Sequence, residues 1–406
     1  MTEARWTGEL AGPVAEGDRI AYLDILRGFA VMAIFIVNIK GMAMPFAWYM
    51  NPSAWGSEIE QHIATVQKFL VDDKWRTNFT ALYGAGLAMI WDRLASRGKG
   101  RGILWRRNIW LLIFGLMHLL LIWIGDILTS YALAGFLAVF FVMMAPGRLF
   151  LFGGIMLAVA WVWTSIFGIG PAFDAELATK LSGFMWDPAA PEVAEEIATM
   201  QGGIGGQIMS RVTAAPDFML MYYLMGGHWL VTLGLMVFGM GLFRSGFYAG
   251  RLGKGFYLVA AVLGLSSAWA LDAIQVIQIA QSGYSFETFS MMTPLATIDG
   301  WLGAFGYAAL IGFLFRVGIT FPPVAAIGRM AFTNYITCSL IGTTLAGGHG
   351  FGWYGEVTLT RLMMVVGTTF IGMLIWSPLW LKVFRFGPLE WVWRSLVYGK
   401  VQPFIR

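Results

Sequence analysis

Apolar runs of about 20 residues, the length that crosses the hydrocarbon core of a bilayer, recur ten times in this chain, near 22–44, 75–92, 104–124, 126–145, 149–168, 218–243, 256–280, 296–315, 324–346 and 358–381. The sequence therefore predicts an all-α, polytopic integral membrane bundle of about ten transmembrane helices, forming one transmembrane domain over residues 1–406. Composition agrees: 58% of the 406 residues are hydrophobic and 12% charged, against about 25% charged in soluble domains. The 51 glycines suit close helix packing and leave a homo-oligomer open.

Charge placement orients the bundle. Arg93, Arg97, Lys99, Arg101, Arg106 and Arg107 crowd the second connection, Arg148 the fourth, Arg244, Arg251 and Lys254 the sixth, and Arg316 and Arg329 the eighth. These are alternate loops, so the positive-inside rule puts both termini and the even connections in the cytoplasm, in agreement with Lys382, Arg385, Arg394, Lys400 and Arg406 in the tail. The net charge of +4 thus reflects orientation, and no nucleic-acid partner is expected. Cys338 is the single cysteine and falls within a span, so there is no disulfide framework. Residues 1–18 are hydrophilic, without the apolar core of a cleavable signal peptide. The longest connection, 169–217, is acidic and is expected to be an extracytoplasmic loop; its 192–200 stretch reads either as a short amphipathic helix or as a solvated acidic loop. The other outer segment, 45–74, carries Trp48, Tyr49 and Trp55 in the manner of an interfacial aromatic belt.

Polar residues inside spans carry the functional signal, because a charge near the bilayer centre costs roughly 3 kcal/mol on insertion scales. Asp24, Arg27 and Asn38 fall near one face of the opening helix, as a polar stripe or as a self-neutralising pair plus an asparagine that glues helices. His118 ends the third span and Asp126 opens the fourth, so an antiparallel pair would let Asp126 orient the imidazole as a general base. His228 is the rival histidine. Asp272, Gln275 and Gln278 draw a second stripe that suits a cavity wall or simple packing, and Arg329, Thr333 and Asn334 cluster at the cytoplasmic side, where Arg329 and the basic loop 93–107 could meet phosphate. Histidines at 62, 118, 228 and 349 have no ligand spacing, so no metal is expected, and hydrolase-elbow and phosphate-loop motifs are missing.

Taken in order, R-I-x-x-L-D-I-L-R-G-F-A with V-N-I at 37–39, L-Y-G-A-G at 82–86, W-R-R-N at 105–108, G-L-M-H with G-D-I-L-x-x-Y-A-L, G-R-M-A-F-T-N-Y and G-P-L-E-W-V-W-R at 387–394 closely resemble the bacterial YeiB-type inner-membrane family, a domain of unknown function (418). The L-D-x-x-R-G opening followed by V-N is more distantly similar to the heparan-alpha-glucosaminide N-acetyltransferases and the wider transmembrane acyltransferase superfamily. That resemblance implies transfer of an acyl group from cytoplasmic acyl-CoA or acetyl-CoA to a hydroxyl or amine of a glycan or lipid headgroup on the far side. Where those relatives place histidines, this chain has Tyr49 and Asn38, so the base would be His118 or a carboxylate such as Asp24 or Asp126. On this reading His118 and Asp126 are the catalytic pair and Asn38 polarises the carbonyl. Asp24, Arg27, Asp272, Arg329 and Asn334 serve binding. The alternative is a transporter or lipid channel in which the intramembrane carboxylates relay protons or substrate without covalent chemistry.

Overall fold

A computed structural model describes residues 20–98 and 100–406; the leader 1–18 read as lacking a signal peptide, Arg19 and Lys99 lie outside the described residues. The described chain forms seventeen α-helices and no strand. The first crossing, α1 (Ala21–Ala43), is followed by α2 (Phe46–Met50) and α3 (Glu58–Leu70). Then come α4 (Lys74–Ala95) and α5 (Gly102–Met117), which continues through a π turn at His118–Ile122, and α6 (Leu128–Ala138). From α7 (Pro146–Ile169) the chain passes into α8 (Ala175–Met185), α9 (Pro191–Gln201) and α10 (Ile204–Phe218). A second π turn, Met219–Met225, leads to α11 (His228–Arg244). The remainder comprises α12 (Lys254–Gln281), α13 (Phe286–Arg316), α14 (Pro322–Arg329), α15 (Ala331–Ala346), α16 (Leu359–Val383) and α17 (Pro388–Tyr398).

Among the described residues six segments are long and apolar enough to cross a membrane: α1, α5 with its π turn, α7, α12, α13 and α16. Two bent pairs pass together, α10 with α11 at 59° and α14 with α15 at 83°, each a broken span or a re-entrant loop. The remaining two of the ten expected runs are α4 and α6, which do not reach that length and apolarity alone. Helix α6 has only 11 residues, and α4 carries Thr77, Asn78 and Thr80, which are buried among other helices. Asn78 Nδ2 donates to Ala304 O at 2.6 Å, so this polar stretch is glue between helices and faces protein rather than lipid.

Burial separates central from peripheral helices. Of the apolar window of α1, 67% is buried, against 22% for α16, and α7, α12 and α16 expose large side chains such as Val159, Ile166, Val262, Leu263, Met364 and Ile371. In water such surfaces would be aggregation-prone patches, whereas in a bilayer they face solvent of their own polarity. Between helices, small residues set the distance. A Cβ on Gly28 would lie 2.0 Å from Val324 O, and one on Gly328 only 1.8 Å from Asp24 O, so α1 and α14 touch backbone to backbone.

The connections sort to two ends. At the basic end Arg244 pairs with Asp92, Arg106 donates to Leu396 O at 2.9 Å, and the Tyr22 and Phe315 rings pack 5.8 Å apart. Here the positive-inside rule places the cytoplasm. At the opposite end α8, α9 and α10, which occupy the segment expected to be a loop, form a cap. Trp186 Nε1 donates to Tyr284 O at 2.7 Å, Trp48 Nε1 to Pro188 O at 3.0 Å, and Gln201 Nε2 to Tyr354 O at 3.0 Å. The belt tryptophan Trp48 is thus a tether to this cap. Glu196 of α9 accepts from the Tyr354 hydroxyl and from Phe46 N, and burial pushes its carboxyl above the ordinary range, with those two hydrogen bonds pulling the other way.

Candidate functional site

His118 opens the π turn that ends α5, a local geometry common at functional sites. The chain then turns through 123–127, a longer connection than the one or two residues expected, and comes back as α6. Close return requires Gly115, where a Cβ would sit 2.5 Å from Thr129 N. The Asp126 carboxylate accepts Leu128 N at 3.1 Å and Thr129 N at 2.6 Å, satisfying free N–H groups at the start of α6. Its Oδ1 also lies 2.8 Å from His118 Nδ1.

On the other side of the ring, Ser339 Oγ of α15 stands 2.9 Å from His118 Nε2. Serine, imidazole and carboxylate are thus in line, and His118 is 1% and Ser339 0% exposed. Asp126 already accepts two N–H groups, so it is best served by a third donor. This assigns the proton to Nδ1 and leaves Nε2 to accept from the serine hydroxyl. The alternative acceptor for that hydroxyl, Tyr335 O, is farther away at 3.3 Å. Residue spacing could not reveal Ser339, which is 221 positions from His118; its only trace is a small polar residue in the run T-C-S.

Ser339 borders a narrow gap between α1 and α15, lined among others by Phe35, Asn38, Met42, Tyr335 and Cys338, and too tight for a water-sized sphere. Asn38, expected to act beside His118, faces this gap, and its amide has no hydrogen-bond partner among the described residues. His118 and Asp126 do not line the gap.

The other anticipated residues lie elsewhere. Asp24 and Arg27 pair at 3.2 Å near the cytoplasmic end, and Asn38 is roughly 16 Å further along α1 at 1.5 Å per residue, so the stripe does not act as one group. Asp272 lines no cavity: it is 0% exposed and held by Lys74 at 3.0 Å and Lys68 at 3.3 Å, while Lys68 also meets Asp299 at 3.0 Å. Gln275 donates to Asp299, and Gln278 is exposed on the outside of α12. These four charges balance, which is what makes their burial tolerable.

Asn334 and Arg329 flank the sharp bend between α14 and α15, and Asn334 is committed to packing. Its amide donates to Ile327 O at 3.2 Å and Ser377 Oγ at 3.1 Å and accepts from Trp376 Nε1 at 3.1 Å. Thr333 instead joins Glu390 of α17, whose carboxylate accepts Phe332 N at 2.7 Å and Thr333 N at 3.0 Å. Within the basic loop, Arg107 stacks 3.9 Å over Trp393 and Arg106 bonds α17, so these two are structural. His228 begins α11 at the bend and stacks 3.9 Å on Tyr222. Among the described residues no three His, Cys, Asp or Glu side chains converge to hold a metal ion.

Residues 242–400 match the family described as "Protein of unknown function (DUF418)", a span that includes Ser339 but neither His118 nor Asp126. Over its whole length the chain is similar to "Uncharacterized protein YeiB" of Escherichia coli (strain K12), 31% identical over 96% of this chain and 98% of the relative. It is also similar to "Uncharacterized protein YxaH" of Bacillus subtilis (strain 168), 28% identical over 97% and 98%. A Bacillus acidopullulyticus protein described as "Uncharacterized 39.9 kDa protein in amylase 3'region" is 26% identical over 97% and 98%.

Proposed function

The chain belongs to the YeiB-type DUF418 family of membrane proteins, and from that premise we propose that it is a bacterial inner-membrane acyltransferase. It would pass an acyl group from cytoplasmic acyl-CoA to an extracytoplasmic hydroxyl or amine, such as a glycan or lipid headgroup. The observation that carries this reading is His118, held between Asp126 at 2.8 Å and Ser339 at 2.9 Å inside the bundle. An imidazole with one nitrogen fixed by a carboxylate and the other directed at a hydroxyl is arranged to move protons between oxygen nucleophiles and leaving groups.

Asn38, unpartnered across the gap, supplies an amide N–H for the oxygen of a thioester carbonyl as charge develops on it. Donor phosphates would meet the basic end, where Arg97 is exposed and Arg101 partly so. Acceptor would approach under the α8–α10 cap. For its chemistry the narrow gap must widen, and α1 and α15 are the walls that would part. The transporter reading is weaker, because Asp24, Asp126 and Asp272 each already have a cationic or imidazole partner. Purified protein tests the proposal by release of free CoA thiol from acyl-CoA in the presence of membrane glycans or lipids. Release that His118→Ala abolishes supports it, and no release from any acyl-CoA by folded wild-type protein overturns it.

A further inference from the structure

On the acyl-transfer reading above, we propose that Ser339 is the nucleophile that carries the acyl group as an ester between donor and acceptor. Of the three in-line residues, Ser339 is the one that lines the gap opposite Asn38; His118 and Asp126 lie behind it. A carbonyl seated in the gap therefore meets the serine hydroxyl first, and the imidazole is reached only through that hydroxyl. A mechanism in which acceptor is deprotonated directly by His118 would first have to displace Ser339 Oγ from Nε2, 2.9 Å away.

The gap is too tight for a water-sized sphere, so it must open for either substrate; opening it for one at a time asks for less movement than opening it for two, and a covalent relay lets CoA depart before acceptor enters. Asn38 on the facing wall has an amide with no partner among the described residues, placed as an oxyanion donor for either half of the reaction.

The steps balance as follows. His118 Nε2 takes the Ser339 Oγ proton, Oγ bonds to the thioester carbon, and the C–S bond breaks. The imidazolium, held by Asp126, returns the proton to the leaving thiolate, giving CoA thiol and a Ser339 acyl ester. The acceptor hydroxyl or amine then attacks that ester carbon, its proton passes to Nε2 and on to Ser339 Oγ, and the C–Oγ bond breaks to restore the serine.

The test is to incubate full-length purified protein with labelled acetyl-CoA and no acceptor, then to map label on peptides by mass spectrometry. The expected result is one acetyl group on Ser339, formed with equimolar free CoA, discharged when acceptor is added. Ser339→Ala loses label and at least about 100-fold in turnover, as loss of a nucleophile does. Ser339→Cys, which keeps a nucleophile and reports on folding, carries the acetyl group as a thioester cleaved by neutral hydroxylamine. If wild type turns over acetyl-CoA but Ser339 stays unmodified, or label sits on neighbouring Cys338, or Ser339→Ala stays within about tenfold of wild type, the relay is overturned while acyl transfer stands. If wild type releases no CoA at all, both readings fall.

Discussion

His118 Nδ1 and Asp126 Oδ1 stand 2.8 Å apart across the bend that joins α5 to α6, with both side chains sealed from water. An ion pair formed there when the imidazole is protonated is screened by protein alone, so the carboxylate stabilises the imidazolium far more than it would in water. An amide of the same shape offers one acceptor oxygen where the carboxylate offers two to Leu128 N, Thr129 N and His118 Nδ1, and its NH2 group against the ring turns the imidazole toward the wrong tautomer. Asp126→Asn should therefore leave the protein folded yet lower turnover of acyl-CoA by roughly 10² to 10⁴-fold. Steady-state kinetics beside a thermal melt of the same preparation checks both halves.

The narrow gap also predicts donor preference. Its walls are mostly apolar and too close together for a water-sized sphere, so the smallest acyl group demands the least opening. Acetyl-CoA should be turned over at least about tenfold faster than palmitoyl-CoA, since excess chain in a pocket that must be forced open costs more than one such factor of 1.4 kcal/mol. Competition between the two thioesters in a single reaction measures the ratio. Met42→Ala, which removes a wall side chain, should narrow it.

The buried quartet gives a stability prediction. Asp272 sits between Lys74 at 3.0 Å and Lys68 at 3.3 Å with no exposure. Removing one member strands a charge, so Asp272→Ala should destabilise the protein by about 3–5 kcal/mol. The double variant Lys74→Met with Asp272→Leu removes charge of both signs and leaves Lys68 with Asp299 at 3.0 Å. It should recover most of that loss. Unfolding in mixed micelles compares the three proteins.

How much of this was legible beforehand differs from residue to residue. His118 and Asp126 could be paired from sequence because a short connection forces neighbouring crossings together. Ser339 could not, because nothing in the spacing brings α15 beside α5. Eight of the ten apolar runs fall on helices long and apolar enough to cross a membrane, alone or as a bent pair, but the bends of 59° and 83° are hidden in the sequence, since a broken helix keeps the composition of a whole one. For Asp272 the sequence leaves a cavity wall and simple packing both open, because its partners Lys68 and Lys74 lie outside the apolar runs or at the edge of one and Asp299 is a lone acid within another; the structure shows packing. Asn334 reads as a ligand in sequence for the same reason that it packs well in the structure: a buried amide in a membrane must find partners, and Ile327, Ser377 and Trp376 supply them.

The cap should respond to pH through Glu196. Burial raises its carboxyl above the ordinary value of 4.5, so in the docked cap it holds its proton to higher pH than in an opened one. Between the two values the docked form binds more protons, and docking weakens as pH climbs through that window; below it the full contribution is present. Hydrogen exchange of the α9 amides, corrected for intrinsic rate, should show protection falling as pH rises above the ordinary carboxyl value of 4.5. Glu196→Gln should flatten the curve.

The most direct measurement of the central claim places the two substrates on opposite sides of one membrane. Protein is reconstituted into vesicles with the basic, α17-bearing end outward, labelled acetyl-CoA is added outside, and a hydroxyl- or amine-bearing glycan is trapped within. The account predicts acetylated glycan inside, one CoA thiol released outside for each acetyl transferred, and loss of both with His118→Ala. Passage of glycan or intact acetyl-CoA across the membrane without acetyl transfer, unchanged by His118→Ala, would contradict it.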